Sequence, residues 1–185
     1  MKNIVILGAG TGGALTSNLL SHRLDLKEWT ITVIDHESIH VYQPGLLFLP
    51  FALYGYHARS DVVRPIAAPL PGNIRLVAGD IHLIDHVRQE VRTDNGTFPY
   101  DFLVGALGCR VAPEEVEGMA DAMGTGVHTF YTLDGALAMQ PALAAMTEGR
   151  LVIDICEMPI KCPVAPLEFA FLADRPLRHR SRHIR

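Results

Sequence analysis

The chain has 185 residues, of which 49% are hydrophobic and 19% are charged, and its mean hydropathy is +0.20. This length predicts one domain, or one domain with part of a second, and the apolar content excludes a globally disordered chain. The formal net charge of −4 is unevenly distributed, because residues 175–185 hold five of the 16 basic residues and no acid. We therefore expect an acidic body followed by a short basic tail.

The sequence carries no signal for a membrane span or for export. Pro, Gly, His or a charge interrupts every apolar run before it reaches the ~20 residues of a membrane helix. The first residues pass directly into the apolar run Ile4–Leu7, with no small-residue cleavage site. We therefore expect a cytoplasmic protein. Its cysteines, Cys109, Cys156 and Cys162, are too few for a disulfide framework and indicate buried thiols or redox chemistry.

A glycine-rich turn lies between the first predicted strand and the first predicted helix. Ile4–Leu7 is followed by Gly8, Gly10 and Gly13 in the spacing G-x-G-x-x-G, and a helical apolar face comes next. In this context Gly8 forms the sharp turn and Gly10 lets the backbone approach a pyrophosphate, while Gly13 allows close packing of helix on strand. The motif predicts a dinucleotide-binding loop, with an ordinary glycine-rich turn as the alternative.

The second predicted strand ends in an acid. Residues 29–34 are rich in β-branched side chains and are closed by Asp35, which lies 22 residues after Gly13. A carboxylate at this position accepts hydrogen bonds from a ribose with a free 2′-hydroxyl, which favours FAD or NAD over NADP. The backbone amides at the helix start, including those of Thr11 and Gly12, would face the phosphates.

The remaining chain predicts further strands and helices. Residues 36–73 are rich in proline, so we expect an irregular segment with at most short helices. Extended runs from residue 74 onward, with Asp94-Asn95-Gly96 as a hairpin turn, predict an antiparallel meander inserted between strands of a parallel sheet. Residues 102–106 predict a buried strand, and residues 132–148 a helix that Pro141 should kink or divide. A strand at 151–155 and a short helix at 167–173 complete the pattern.

Three segments carry a family resemblance. Residues 97–108 lead through a Tyr-Asp dipeptide and a strand to Ala106-Leu107-Gly108, which resembles the second FAD-contacting motif of flavoproteins with two dinucleotide folds, although Leu107 replaces the usual Thr. Residues 40–48 contain Tyr-Gln-Pro-Gly and residues 161–168 contain Cys-Pro-Val-Ala-Pro. They resemble the flavin-side segment and the first redox cysteine of sulfide:quinone oxidoreductases. The chain therefore resembles the sulfide:quinone oxidoreductase-like flavoproteins, a branch of the FAD-dependent pyridine nucleotide-disulfide oxidoreductase superfamily.

The resemblance implies an α/β fold with FAD as cofactor. A Rossmann-like FAD-binding domain with an inserted antiparallel β-meander would occupy residues 1–149. The opening strand and helix of a second dinucleotide-binding fold would occupy residues 150–174, and residues 175–185 would be an unstructured basic tail. Since family members are about twice as long, the resemblance also implies a chain truncated or frame-shifted after Asp174, with a natural tail as the alternative. Besides the glycine-rich loop and Asp35, the cofactor would contact Gln43, Pro44, Ala78, Ala106 and Gly108.

The resemblance also implies a reaction. Cys162 would pass electrons from sulfide to FAD, and a quinone would reoxidise the flavin. Lys161 and the amides of the following helix favour the Cys162 thiolate. Cys109 and Cys156 are predicted to be packing residues, with a place close to the flavin as the alternative for Cys109. Some family members carry an additional cysteine just before a Thr-x-Asp tripeptide, a position that Tyr131 holds here, so the chain would follow the two-cysteine variant.

Other functions remain open from the sequence. A type II NADH:quinone oxidoreductase of the same superfamily would need no nucleophilic cysteine, and a non-catalytic fragment would need no complete site. In a full-length form the family suggests peripheral association with the inner membrane. The arginines of the tail attract phosphates, yet eleven residues without an aromatic predict no specific nucleic-acid binding. The cysteine spacing lacks a second close ligand pair, so no metal site is predicted.

Overall fold

The computed structural model describes residues 1–180, which form two units. The first unit is Met1–Val41 with Val63–Arg110, and the second is Tyr42–Val62 with the chain from Val111 onward. This division differs from the predicted boundary at residue 149. The physical reason is the excursion at residues 42–62, whose apolar side chains join a core with helices of the second unit.

The helices and strands have these bounds. The first unit contains β1 (Lys2–Leu7), α1 (Thr11–Arg23), β2 (Trp29–Asp35), β3 (Ile39–Val41), β4 (Val63–Pro65), β5 (Arg75–Ala78), β6 (Ile81–Asp85), β7 (Glu90–Thr93), β8 (Gly96–Pro99) and β9 (Phe102–Gly105). The second unit contains α2 (Arg59–Val62), α3 (Met119–Ala122), α4 (Leu133–Ala145) and α5 (Ala165–Arg180), with 3₁₀ turns at Gln43–Leu47, Leu49–Phe51 and Pro113–Glu115.

A parallel sheet with the strand order β5-β2-β1-β9 forms the centre of the first unit. The apolar runs of β1 and β2 are buried, as in sheets that are covered on both faces. The predicted Rossmann-like α/β fold is therefore confirmed. Because β2 lies on one side of β1 and β9 on the other, the strand order reverses at β1, and the crevice at such a point is where open α/β sheets bind ligands.

β9 lies at the end of this sheet and is less buried than predicted. It pairs in parallel with β1, with Ile4 opposite Phe102 and Leu7 opposite Gly105. The Phe102 side chain is nevertheless 56% exposed. A strand with one neighbour in the described chain gains less cover than a central strand, and this explains the difference.

The meander is present with one change. β6, β7 and β8 form an antiparallel three-stranded sheet, and the predicted hairpin turn joins β7 to β8, with Gly96 at φ 125°. Val91 and Phe98 are buried in a cluster with Val5 and Leu7 of β1. Residues 75–78, in contrast, pair in parallel with β2 and belong to the main sheet.

The second unit has a core of its own. α4 and α5 bury one apolar stripe each, together with the first 3₁₀ turn, and the buried members are Leu47, Met139, Leu143, Phe169, Ala173 and Leu177. α4 begins at an N-cap, because the Thr132 side chain accepts a hydrogen bond from the Gly135 amide at 3.2 Å. Pro141 lies inside α4 without dividing it, so that part of the prediction is wrong.

Residues 151–155 do not form the predicted strand. These residues have no regular secondary structure, and Val152 is 71% exposed. An apolar β-branched run pairs only where a neighbour supplies partners for its N–H and C=O groups. None of the strands in residues 1–180 pairs with this segment.

α5 is longer than predicted. It continues through residues 175–180, which the sequence placed in an unstructured tail. Phe169, Ala173 and Leu177 recur every four residues and are all buried, so the apolar stripe extends past the predicted end of the helix. Residues 181–185, the rest of the predicted tail, lie outside the described residues. Within residues 1–180, no helix has both the length and the apolar character needed to cross a membrane.

Candidate nucleotide and redox sites

The glycine-rich turn follows β1 at the carboxyl edge of the sheet and leads into α1. Gly10 is the N-cap of α1, no side chain caps this end, and the first turn contains no acid. The first amides of a helix have no partner inside the helix, so those of Thr11, Gly12 and Gly13 are directed outward with the positive end of the helix dipole. This is the geometry that phosphate groups require.

The glycines of this turn meet two different needs. A Cβ at Gly13 would overlap the carbonyl oxygen of Gly8, and a Cβ at Gly8 would overlap that of Ala106. These two positions therefore permit close approach of backbone to backbone. A Cβ at Gly10, in contrast, would have no atom within 4 Å. The space above Gly10 is therefore open to a ligand, and the turn fits a dinucleotide.

Asp35 ends β2 beside this turn. Its Oδ2 accepts a hydrogen bond from the Ala9 amide at 2.6 Å, and its Oδ1 accepts one from the Glu37 amide at 2.9 Å. Each carboxylate oxygen has two acceptor positions, so the half-buried Asp35 side chain keeps capacity for ribose hydroxyls. Ala78 lies opposite Asp35 in the β2–β5 register and is exposed.

The segment after β9 borders the turn from the other side. The Ala106 amide donates to the Leu7 carbonyl at 2.8 Å, and a Cβ at Gly12 would lie 3.5 Å from the Ala106 Cβ. Gly108 is exposed and has φ 73°. The first unit therefore brings nine predicted cofactor contacts to the carboxyl edge of one sheet: Gly8, Gly10, Thr11, Gly12, Gly13, Asp35, Ala78, Ala106 and Gly108.

The other predicted site residues lie in the second unit. Gln43 and Pro44 begin the first 3₁₀ turn and are exposed. The Gln43 Oε1 accepts a hydrogen bond from Lys161 Nζ at 2.9 Å, across 118 residues of sequence. Cys162 follows Lys161 directly. The two segments that carry the most specific part of the resemblance therefore meet within one unit.

Cys162 is exposed in the loop before α5. Its φ is 51°, and its carbonyl oxygen accepts hydrogen bonds from the Ala165 amide at 3.0 Å and the Tyr131 hydroxyl at 3.3 Å. Burial raises the pKa of the Tyr131 phenol, and the charge of the nearby Cys162 thiolate raises it further. Sequence analysis missed the contact of Tyr131 with Cys162, because only the position of Tyr131 before Thr132 was visible.

The other two cysteines are not packing residues. Cys109 and Cys156 are both exposed, because the segments that contain them lie outside the hydrophobic cores of the described chain. The Cys156 Sγ lies 3.4 Å from Asp154 Oδ2. Desolvation and the hydrogen bond to Asp154 raise the pKa of Cys156, which disfavours its thiolate. In residues 1–180, no group of three or more His, Cys, Asp or Glu side chains is placed to hold a metal ion.

The fold defines the class of protein. The structure has the Rossmann-like architecture of FAD- and NAD(P)-dependent disulfide oxidoreductases, and the predicted resemblance to that superfamily is confirmed. The sulfide:quinone oxidoreductase from Aquifex aeolicus is 25% identical and superimposes with a TM-score of 0.68 over 98% of this chain and 42% of its own. A putidaredoxin reductase–putidaredoxin complex matches 99% of this chain and 41% of its own at 24% identity and a TM-score of 0.65, which shows the fold alone.

Sequence relatives belong to the same superfamily. The type II NADH:quinone oxidoreductase of Staphylococcus haemolyticus (strain JCSC1435) is 30% identical over 121 residues, which are 65% of this chain. The chain spans 29% of the length of that relative. No family model matches the chain. These relatives are oxidoreductases, in agreement with the resemblance of the chain to that superfamily.

Proposed function

We propose that the chain carries the FAD-binding and sulfur-handling part of a sulfide:quinone oxidoreductase. The observation that carries the proposal is the Lys161–Gln43 hydrogen bond of 2.9 Å, which joins the candidate redox-cysteine loop to the candidate flavin-side turn. The 25% identity to the Aquifex aeolicus enzyme over 98% of the chain supports the same reaction. The reaction moves two electrons and two protons from hydrogen sulfide and the cysteine thiol to a quinone, and the sulfur remains bound to cysteine as a persulfide.

The first unit would hold FAD. Amides of residues 11–13 would bind the diphosphate, Asp35 would accept hydrogen bonds from the ribose, and Gly10 would give the phosphates room. When bound, FAD supplies the two-electron transfer between donor and quinone. The role of the chain is to bind and orient.

The sulfur chemistry would occur at Cys162. Its exposure lets a small anion such as hydrosulfide reach the thiol. Lys161 would keep a positive charge beside the loop while Gln43 fixes its ammonium group. The raised pKa of Cys156 disfavours its thiolate, so Cys156 is not proposed as the reacting residue.

The proposal is tested with the purified full chain. FAD titration should give a flavin absorbance spectrum that persists through gel filtration, and sulfide with a soluble ubiquinone analogue should be consumed in equal amounts. A colourless chain that does not bind FAD would contradict the proposal and would support the interpretation as a non-catalytic fragment. Cys162→Ser should abolish sulfide-dependent quinone reduction, whereas Cys156→Ser, the matched control, should retain it.

A second candidate is an NADH:quinone oxidoreductase, which the staphylococcal relatives favour. The donor would then be NADH, and no cysteine would take part. Quinone reduction with NADH that survives Cys162→Ser, together with no activity on sulfide, would support this candidate and overturn the first.

We also propose where the chain acts. A quinone acceptor is carried by a membrane, so a cytoplasmic protein in peripheral contact with the inner membrane fits this reaction. Flotation with phospholipid vesicles tests the membrane contact, and protein that stays at the bottom of the gradient would contradict it.

A further inference from the structure

We infer that Tyr131 is a positioning residue for Cys162: its hydroxyl group holds the Cys162 backbone in the conformation that presents the thiol to a reactant. The inference deepens the proposed function, which makes Cys162 the redox residue. Tyr131 lies 31 residues before Cys162 in the sequence, and its hydroxyl donates to the Cys162 carbonyl oxygen at 3.3 Å.

The Cys162 backbone requires such support. Its φ of 51° lies in the left-handed region, where the Cβ of an L-residue is crowded by the following carbonyl. Two hydrogen bonds to the Cys162 carbonyl oppose this strain. The bond from Ala165 at 3.0 Å is local and forms with the start of α5. The hydrogen bond from Tyr131 comes from a distant segment and therefore holds the loop against another part of the chain.

Tyr131 is well placed to keep donating. Its ring stacks on Phe130 at 4.8 Å between centroids, and Phe130 stacks on the buried Phe169 at 5.0 Å. This aromatic row connects Tyr131 to the core of the second unit. The pKa of Tyr131 is raised by burial and by the charge of Cys162, so the hydroxyl stays protonated and remains a donor.

The inference predicts a change confined to one cysteine. All three cysteines are exposed, so their alkylation rates by iodoacetamide can be measured in the full chain by mass spectrometry, with Cys109 and Cys156 as internal references. Tyr131→Phe should slow alkylation of Cys162 by about 3- to 10-fold, the value of one hydrogen bond. The rates at Cys109 and Cys156 should not change. The matched control is Tyr54→Phe, at a tyrosine that is 77% exposed.

A rescue separates hydrogen bonding from ring packing. The Tyr131→Phe variant keeps the ring but lacks the donor, whereas 4-aminophenylalanine at position 131 supplies an N–H donor at the same place and should restore the Cys162 rate. An unchanged or faster Cys162 rate in Tyr131→Phe overturns the inference, and so does an equal change at all three cysteines or a failed rescue. The experiment needs neither sulfide nor FAD. If Cys162→Ser retains sulfide oxidation while the alkylation result holds, the proposed function fails and the positioning role stands.

Discussion

The two units build their candidate sites from different materials. In the first unit, backbone amides, glycines and one carboxylate lie at the carboxyl edge of a parallel sheet. In the second unit, the Lys161 side chain donates to Gln43, and the Tyr131 hydroxyl donates to the carbonyl oxygen of the adjacent Cys162. A site built from backbone groups requires particular residues at a fixed spacing. A site built from side chains requires segments that are far apart in the sequence to pack together.

The core of the second unit should respond most strongly to substitution. Phe169 is 4% exposed, stacks on Phe130 and makes a tilted ring contact with Phe51, so Phe169→Ala should cost about 3–5 kcal/mol of unfolding free energy. Phe171, two positions along the same helix, is 79% exposed, and Phe171→Ala should change the stability by less than about 0.5 kcal/mol. Thermal denaturation followed by circular dichroism measures both. Equal effects would show that the packing assigned to α5 is wrong.

The backbone site of the first unit should lose its ligand without losing its fold. A Cβ at Gly10 meets no protein atom within 4 Å, so Gly10→Ala should leave the melting temperature nearly unchanged. It should weaken FAD binding by at least about 10-fold, because the methyl group occupies the approach path of the phosphates. Fluorescence titration with FAD measures the affinity. Gly72→Ala is the control, since its Cβ also meets open space, and equal affinities in the two variants would contradict the phosphate site.

The smallest effect concerns a side-chain contact inside the first unit. The hydrogen bond from His82 at 2.5 Å, followed by the Asp80 amide at 3.0 Å, lowers the pKa of Asp94 below 3.8. A carboxyl group whose pKa is lowered by folding stabilises the folded state at pH values above its pKa in the unfolded chain. This stabilisation is lost as the pH falls through the pKa of the group in the folded state. The Asp94→Asn variant should therefore have a lower melting temperature than the parent chain at pH 6. The difference between the two melting temperatures should disappear towards pH 2.

His82→Ala provides the check on this prediction. It removes the main cause of the lowered pKa of Asp94, so Asp94→Asn should have less effect when it is added to His82→Ala. Melting temperatures of the two single variants and the double variant, measured across the same pH range, test this coupling. A difference in melting temperature between Asp94→Asn and the parent chain that stays constant with pH would contradict the electrostatic origin of the effect.

Much of the first unit could be predicted because its constraints are local. The glycine spacing, the β-branched run to Asp35 and the Asp-Asn-Gly turn each specify backbone geometry within a few residues, and β1, α1, β2 and the hairpin follow them. The prediction of a strand at residues 151–155 was wrong because strand formation there depends on a distant partner. Its sequence favours extended backbone, but a strand exists only where another strand pairs with it.

The sequence by itself determined the Rossmann-like opening of the fold and its glycine-rich turn, because each depends on residue types at short spacing. The family resemblance, in turn, singled out Cys162 as the candidate cysteine. Tertiary structure alone decided that residues 42–62 pack with α4 and α5 and that α5 extends through residue 180. It also decided that Tyr131 contacts Cys162. These features depend on contacts between segments far apart in the chain, and no local pattern of residues encodes which distant side chain fills a given space.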